Sequence, residues 1–181
     1  IFAKGYAADP KNMEMANFLG ICYCELGDFQ KGLVIFNEIA SQDNPKYAED
    51  VVKAKENIKL YTNNRIAKLQ GENDFYGIIA VADEMLAVNP QDALAQKIRL
   101  QALFDKKDYA GVIASAEEAA AGQTDEEERS DVYFILGAAY NARTMPQQAI
   151  DALSKVTAGA NVAAAQKTVA QLKENAAKAN S

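Results

Sequence analysis

The chain has 181 residues, 49% of them hydrophobic, with four prolines, ten glycines and a formal net charge of −6. That composition excludes disordered and collagen-like classes, and the acidic balance argues against nucleic acid or an anionic membrane surface as a partner. Histidine is absent, which removes the commonest general base and a frequent metal ligand.

Abundant alanine and few β-branched runs point to an all-α chain. Residues Ile1 to Ala8 read as the second helix of an earlier hairpin, with Phe2, Gly5 and Tyr6 on one face. Asp9-Pro10-Lys11-Asn12 is a turn, since proline cannot continue a helix. Helices follow near Met13–Leu26 and Phe29–Ala40, meeting at Gly27-Asp28. Leu19, Gly20 and Tyr23 share one face of the first; Phe29, Gly32 and Phe36 form the matching face of the second. Gly20 has no side chain, which lets the second helix approach closely. Cys22 and Cys24 are two apart on one helix and point about 200° apart, so they do not bridge each other; packing is their expected role.

Ser41 to Pro45 ends that pair. One long helix is expected from Tyr47 to about Leu69, carried by Tyr47, Val51, Ala54, Ile58, Tyr61, Ile66 and Leu69, with Thr62-Asn63-Asn64 as its weak point. Gly71 to Asp74 breaks it. Phe75–Val88 comes next, with Phe75, Ile78, Ile79, Ala82, Met85 and Leu86 inward. After Asn89-Pro90-Gln91-Asp92, helices at Ala93–Phe104 and Tyr109–Ala121 flank Lys107-Asp108. Thr124 and Glu127 have the form of a capping box and start a helix through Tyr140. Pro146 opens a helix to about Val156. Asn161 caps a last helix from Val162 to about Asn175, with Val162, Ala165, Val169 and Leu172 apolar and Gln166, Lys167 and Lys173 on its wet side. No stretch is long and apolar enough for a transmembrane helix.

The mid-hairpin turns fall at Asp28-Phe29, Asp74-Phe75, Asp108-Tyr109 and Met145-Pro146. Their separations are 46, 34 and 37 residues, or 34 with additions of 12, zero and 3. Leu19-Gly20, Tyr23, Gly27-Asp28-Phe29, Gly32 and Phe36 resemble the tetratricopeptide repeat. Tyr133, Leu136-Gly137, Tyr140, Ala149 and Leu153 repeat the pattern, with Thr144-Met145-Pro146 replacing the usual glycine turn. The two intervening repeats are degenerate: Arg65-Ile66 and Leu100-Gln101 stand for Leu-Gly.

The resemblance implies a right-handed superhelical array of antiparallel helix hairpins forming one domain over 1–181. Its segments are 1–12 (end of an earlier repeat), 13–46, 47–92 with an extended first helix, 93–126, 127–161, and a capping helix at 162–178. It also implies a non-enzymatic scaffold binding a peptide or helix of a partner protein in a concave groove. Carried over by position, the groove residues are Glu14, Asn17 and Ile21, then Lys97, Gln101 and Phe104, then Asp131, Phe134 and Asn141. Leu94 and Ala138 extend the apolar floor. Glu14, Glu25, Asp105 and Asp131 rim it with acid, so the expected partner segment is apolar with some basic residues. The family's carboxylate clamp is absent, because Asn17 and Ile21 stand where its Lys and Asn would be. The alternative is a self-associating structural or spacer module of a larger protein, in which any enzymatic activity would belong to a further domain.

No residues point to catalysis, a cofactor or a metal. Glu126, Glu127 and Glu128 sit in a first helical turn, where the helix dipole favours them. Asp43-Asn44 and Asn89 with Asp92 are turn formers, and Ser115 and Ser154 lack a base. The chain begins inside a helical pattern without Met or a visible signal peptide, and is expected to follow an upstream segment. The divergent, alanine-rich repeats fit a bacterial protein, with cytoplasm or periplasm left open.

Overall fold

The computed structural model describes residues 12–179, all regular structure among them being helical, and divides into two compact units whose sequence boundary is Pro90–Gln91. The helix expected at Ile1–Ala8 and most of the turn after it lie outside the described residues.

The first unit holds α1 (Met13–Glu25), α2 (Phe29–Ala40), a 3-10 turn at Pro45–Tyr47, α3 (Ala48–Gly71) and α4 (Phe75–Val88). Each helix packs on the next; α3 also touches α1, and α4 touches α2. Phe36 is fully buried at the centre of this packing. Its ring lies over Gly20, where a β-carbon would stand 2.5 Å from Phe36 Cε1. It stacks on Tyr61 of α3 with ring centroids 6.3 Å apart. A β-carbon on Gly32 would likewise run into Cys24 Sγ, so α1 and α2 meet through two glycines.

The long helix α3 is unbroken through Thr62-Asn63-Asn64, for a reason visible in its packing. Thr62 is buried, with its hydroxyl 3.6 Å from Met85 Sδ of α4, while the two asparagines are exposed. In α4 the buried residues are Ile78, Val81, Ala82 and Met85. Val81 thus takes a fully inward place, whereas Phe75, Ile79 and Leu86 are only half-buried. Tyr23, expected on the face of α1 that meets α2, is also only half-buried, with the Lys31 ammonium 5.4 Å from its ring.

The second unit holds α5 (Ala93–Asp105), α6 (Tyr109–Gly122), α7 (Glu126–Ala142), α8 (Pro146–Leu153) and α9 (Val162–Ala179). Consecutive helices pack on each other, and α5 also packs on α7. A β-carbon on Gly137 would stand 2.5 Å from Leu153 Cγ, the same glycine-to-large-residue contact as Gly20 and Phe36. Ser130, 1% exposed, accepts from the Thr157 and Ala158 amides at 3.2 and 3.1 Å and so ties the loop after α8 to α7.

Two local expectations are corrected. The N-cap of α7 is Asp125, not Thr124: its side chain accepts from the Glu128 amide at 3.0 Å, the stronger capping oxygen one residue on. Helix α8 stops at Leu153 rather than Val156, where the Ser154 hydroxyl donates to the Ile150 carbonyl. The Asn161 side-chain amide donates to Asp131 Oδ1 at 2.9 Å.

The four hairpin turns share one backbone device. Gly27, Asn73, Lys107 and Thr144 each adopt positive φ, and each immediately precedes an N-cap. Three of those caps, Asp28, Asp74 and Asp108, accept from the amide three residues on. Thr144 is β-branched and is therefore the most strained of the set. A Thr144→Gly variant is expected to raise the unfolding midpoint, with a gain of up to roughly 1 kcal/mol. Thermal melts of the variant check this; an unchanged or lowered midpoint contradicts it.

Candidate functional site

In the first unit, Glu14, Asn17 and Ile21 of α1 line a pocket of about 210 Å³ together with Phe18 and with Lys53, Glu56 and Asn57 of α3. The one-sided spacing of Glu14, Asn17, Phe18 and Ile21 puts them on a single stripe of α1. Asn17 is 5% exposed and forms the pocket floor. Its amide donates to the Asp50 carbonyl at 3.2 Å, and its oxygen accepts from Asn57 Nδ2 at 3.5 Å. Asn17 therefore joins α1 to α3 as well as lining the cavity. Phe18 is 45% exposed at the wall. The rim carries Glu14, Glu56 and Lys53, the last bridged to Glu49 at 2.8 Å; that hydrogen bond holds the Lys53 ammonium above its ordinary range.

Phe18, Lys53, Glu56 and Asn57 were not among the residues expected from sequence. The last three lie in the 12-residue surplus before Lys59, whose repeat register has no family equivalent. The available signal was the apolar period of α3, which runs unbroken through that surplus and so sets it beside α1.

In the second unit, the structure joins Lys97 of α5 to α7. Its ammonium bridges Glu128 and also Asp131, the latter at 3.1 Å. Burial works against that charge, but the two carboxylates outweigh it and raise the lysine pKa. Asp131 also holds Asn161, so one carboxylate links α5, α7 and the approach to α9. Gln101 is exposed and donates within its own helix to Asp105 at 2.8 Å. Asn141 is exposed near the end of α7. Phe104 is half-buried against Tyr109 of α6, with ring centroids 5.5 Å apart. Phe134 packs on the cluster of Leu153, Val156 and Ala165. The two phenylalanines thus have different neighbours, and stability separates their roles. Phe134→Ser is expected to cost about half of the 3–5 kcal/mol of a fully buried phenylalanine, and Phe104→Ser less. Denaturant melts of both variants measure this; equal losses would contradict it.

Near the far end of α1, Tyr61 donates to Glu25 Oε1 at 2.7 Å. Burial, then that bond, pushes the Tyr61 phenol up to about 12. Burial, then the Glu25 charge, pushes the Cys24 thiol up to about 11. Both protonated forms are favoured by the fold. Their contribution is complete below the unfolded values of 9.0 and 10.0 and is lost as pH rises towards 11 and 12. Denaturant midpoints taken at rising alkaline pH are expected to fall less steeply in Cys24→Ala/Tyr61→Phe than in the parent. Parallel slopes would contradict this.

Among the described residues, no three His, Cys, Asp or Glu side chains are grouped as metal ligands would be, and no helix is long and apolar enough to cross a membrane. No protein-family model matches the sequence, and no curated protein matches it significantly.

Proposed function

We propose that this chain is a tetratricopeptide-like, non-enzymatic scaffold that holds a segment of a partner protein against the first helices of its hairpins. The observation behind this reading is the pocket between α1 and α3. Three residues picked by the family's groove positions, Glu14, Asn17 and Ile21, line one cavity there. It has an apolar wall at Phe18 and Ile21, a polar floor, and charges confined to the rim, the division of labour found at protein interfaces. The paired glycine contacts at Gly20 and Gly137 and the four similar turns support a repeat built from one hairpin design. The acidic rim favours a partner segment with apolar anchors and basic flanks, and complementary charge there would chiefly speed association.

A photo-crosslinking amino acid at position 18, introduced in cells that naturally make the protein, tests the reading. Position 34 on α2, also partly exposed but outside the pocket, serves as the control. A discrete protein adduct from position 18 alone, lost on Ile21→Asp, is the expected result. No adduct, or the same adducts from both positions, overturns it.

A further inference from the structure

A second cavity, of about 550 Å³, lies between the end of α8 and α9, floored by Leu153, Val156, Val162 and Val169 with Lys173 at its lip. The first unit shows what such a seam accepts. There α4 lies against both α2 and α3, inserting Ile78, Val81, Ala82 and Met85, and its Glu84 takes Arg65 of α3 at 2.7 Å. The seam between α8 and α9 is likewise formed by the second helix of one hairpin and the helix that follows it. Its floor is buried at Leu153 and Val156 but only half-buried at Val162 and Val169, and Lys173 makes no ion pair among the described residues.

We propose that this seam is a docking site for an amphipathic helix of a partner protein, with a short aliphatic face and a carboxylate that reaches Lys173. Charge decides against a second copy of α9 as occupant. That helix carries Lys167, Lys173 and Lys178, and its one acid, Glu174, is already paired with Lys178 at 2.6 Å. Two such helices would bring like charges together, whereas an acidic helix completes the lip.

The test uses a fluorescent peptide with the α4 sequence, residues 75–88, which carries both the aliphatic face and the acids. Anisotropy against the full chain is expected to show saturable binding. Lys173→Glu should weaken it about fivefold, and the peptide's own Glu84→Lys should restore affinity to that variant. Val169→Asp should abolish binding. Should Val169→Asp disturb α9, Ala170→Glu at the exposed lip provides the same block without touching the core. Absence of binding, or binding indifferent to all three chain variants, overturns the proposal. So does a dimer in light scattering that Val169→Asp dissociates, which assigns the seam to a second copy. Binding by this chain but not by the full-length gene product also overturns it, by assigning the seam to another segment of the same protein.

Discussion

Phe36→Ala is expected to lower the unfolding free energy of the first unit by about 3–5 kcal/mol. Three helices lose contact at once. The ring fills the space left by Gly20 on α1, belongs to α2, and stacks on Tyr61 of α3. It is fully shielded from water, so truncation removes its whole transfer term and leaves a cavity that α1 cannot easily close. Tyr61 would also lose its stacking partner, and with it some of the burial that keeps its phenol protonated. Chemical denaturation followed by tyrosine fluorescence measures the loss. A change below about 1 kcal/mol would mean that the site collapses and refills.

The second large effect comes from the opposite side of the same contact. Gly20→Leu should cost about 1–3 kcal/mol or more by overpacking. Helix propensity favours leucine over glycine by a little under 1 kcal/mol, so packing decides the sign. A β-carbon at position 20 already lies 2.5 Å from Phe36 Cε1 and 2.9 Å from Cδ1 and Cζ, and the remaining leucine atoms have nowhere to go. The two effects are coupled because the side chains compete for one volume. In the double variant Gly20→Leu/Phe36→Ala, part of the loss should return, giving a non-additive cycle. A strictly additive cycle, or a raised melting temperature for Gly20→Leu alone, would show that the two residues do not share that space.

The Gly20 and Phe36 contact was legible in the sequence because glycine at one helix spacing and a large residue at another leave few ways to pack. Turn positions were legible for a similar reason. Asp28, Asp74 and Asp108 cap the following helices whatever their tertiary setting. The cap of α7 was misplaced by one residue because Thr124 and Asp125 are both competent and only geometry chooses between them. Burial in α4 was harder to read: nearly every residue from Ile78 to Val88 is apolar or small, so periodicity alone does not rank Val81 above Ile79. The candidate pocket was half legible. Glu14, Asn17 and Ile21 of α1 follow from position, but Phe18 holds no groove position in the repeat, and the α3 residues sit in a surplus that no repeat register describes. Asn17 shows a further limit, since nothing in its sequence position reveals that its amide is committed to Asp50 and Asn57.

The continuity of α3 has a mechanical meaning. Its 24 residues form a rod about 36 Å long at 1.5 Å of rise per residue. Lys53, Glu56 and Asn57 stand near one end, at the pocket; Arg65, held by Phe29 and Glu84, stands towards the other. An occupant that wedged the pocket residues aside by about 5° would swing the opposite tip, about 24 Å away, through roughly 2 Å, a lever arm fixed by helix rise alone. Two ordinary helices joined by a turn would absorb that motion at the joint. In this chain the surplus residues therefore do more than wall a cavity: they make the pocket and the α4 contact opposite ends of one stiff beam.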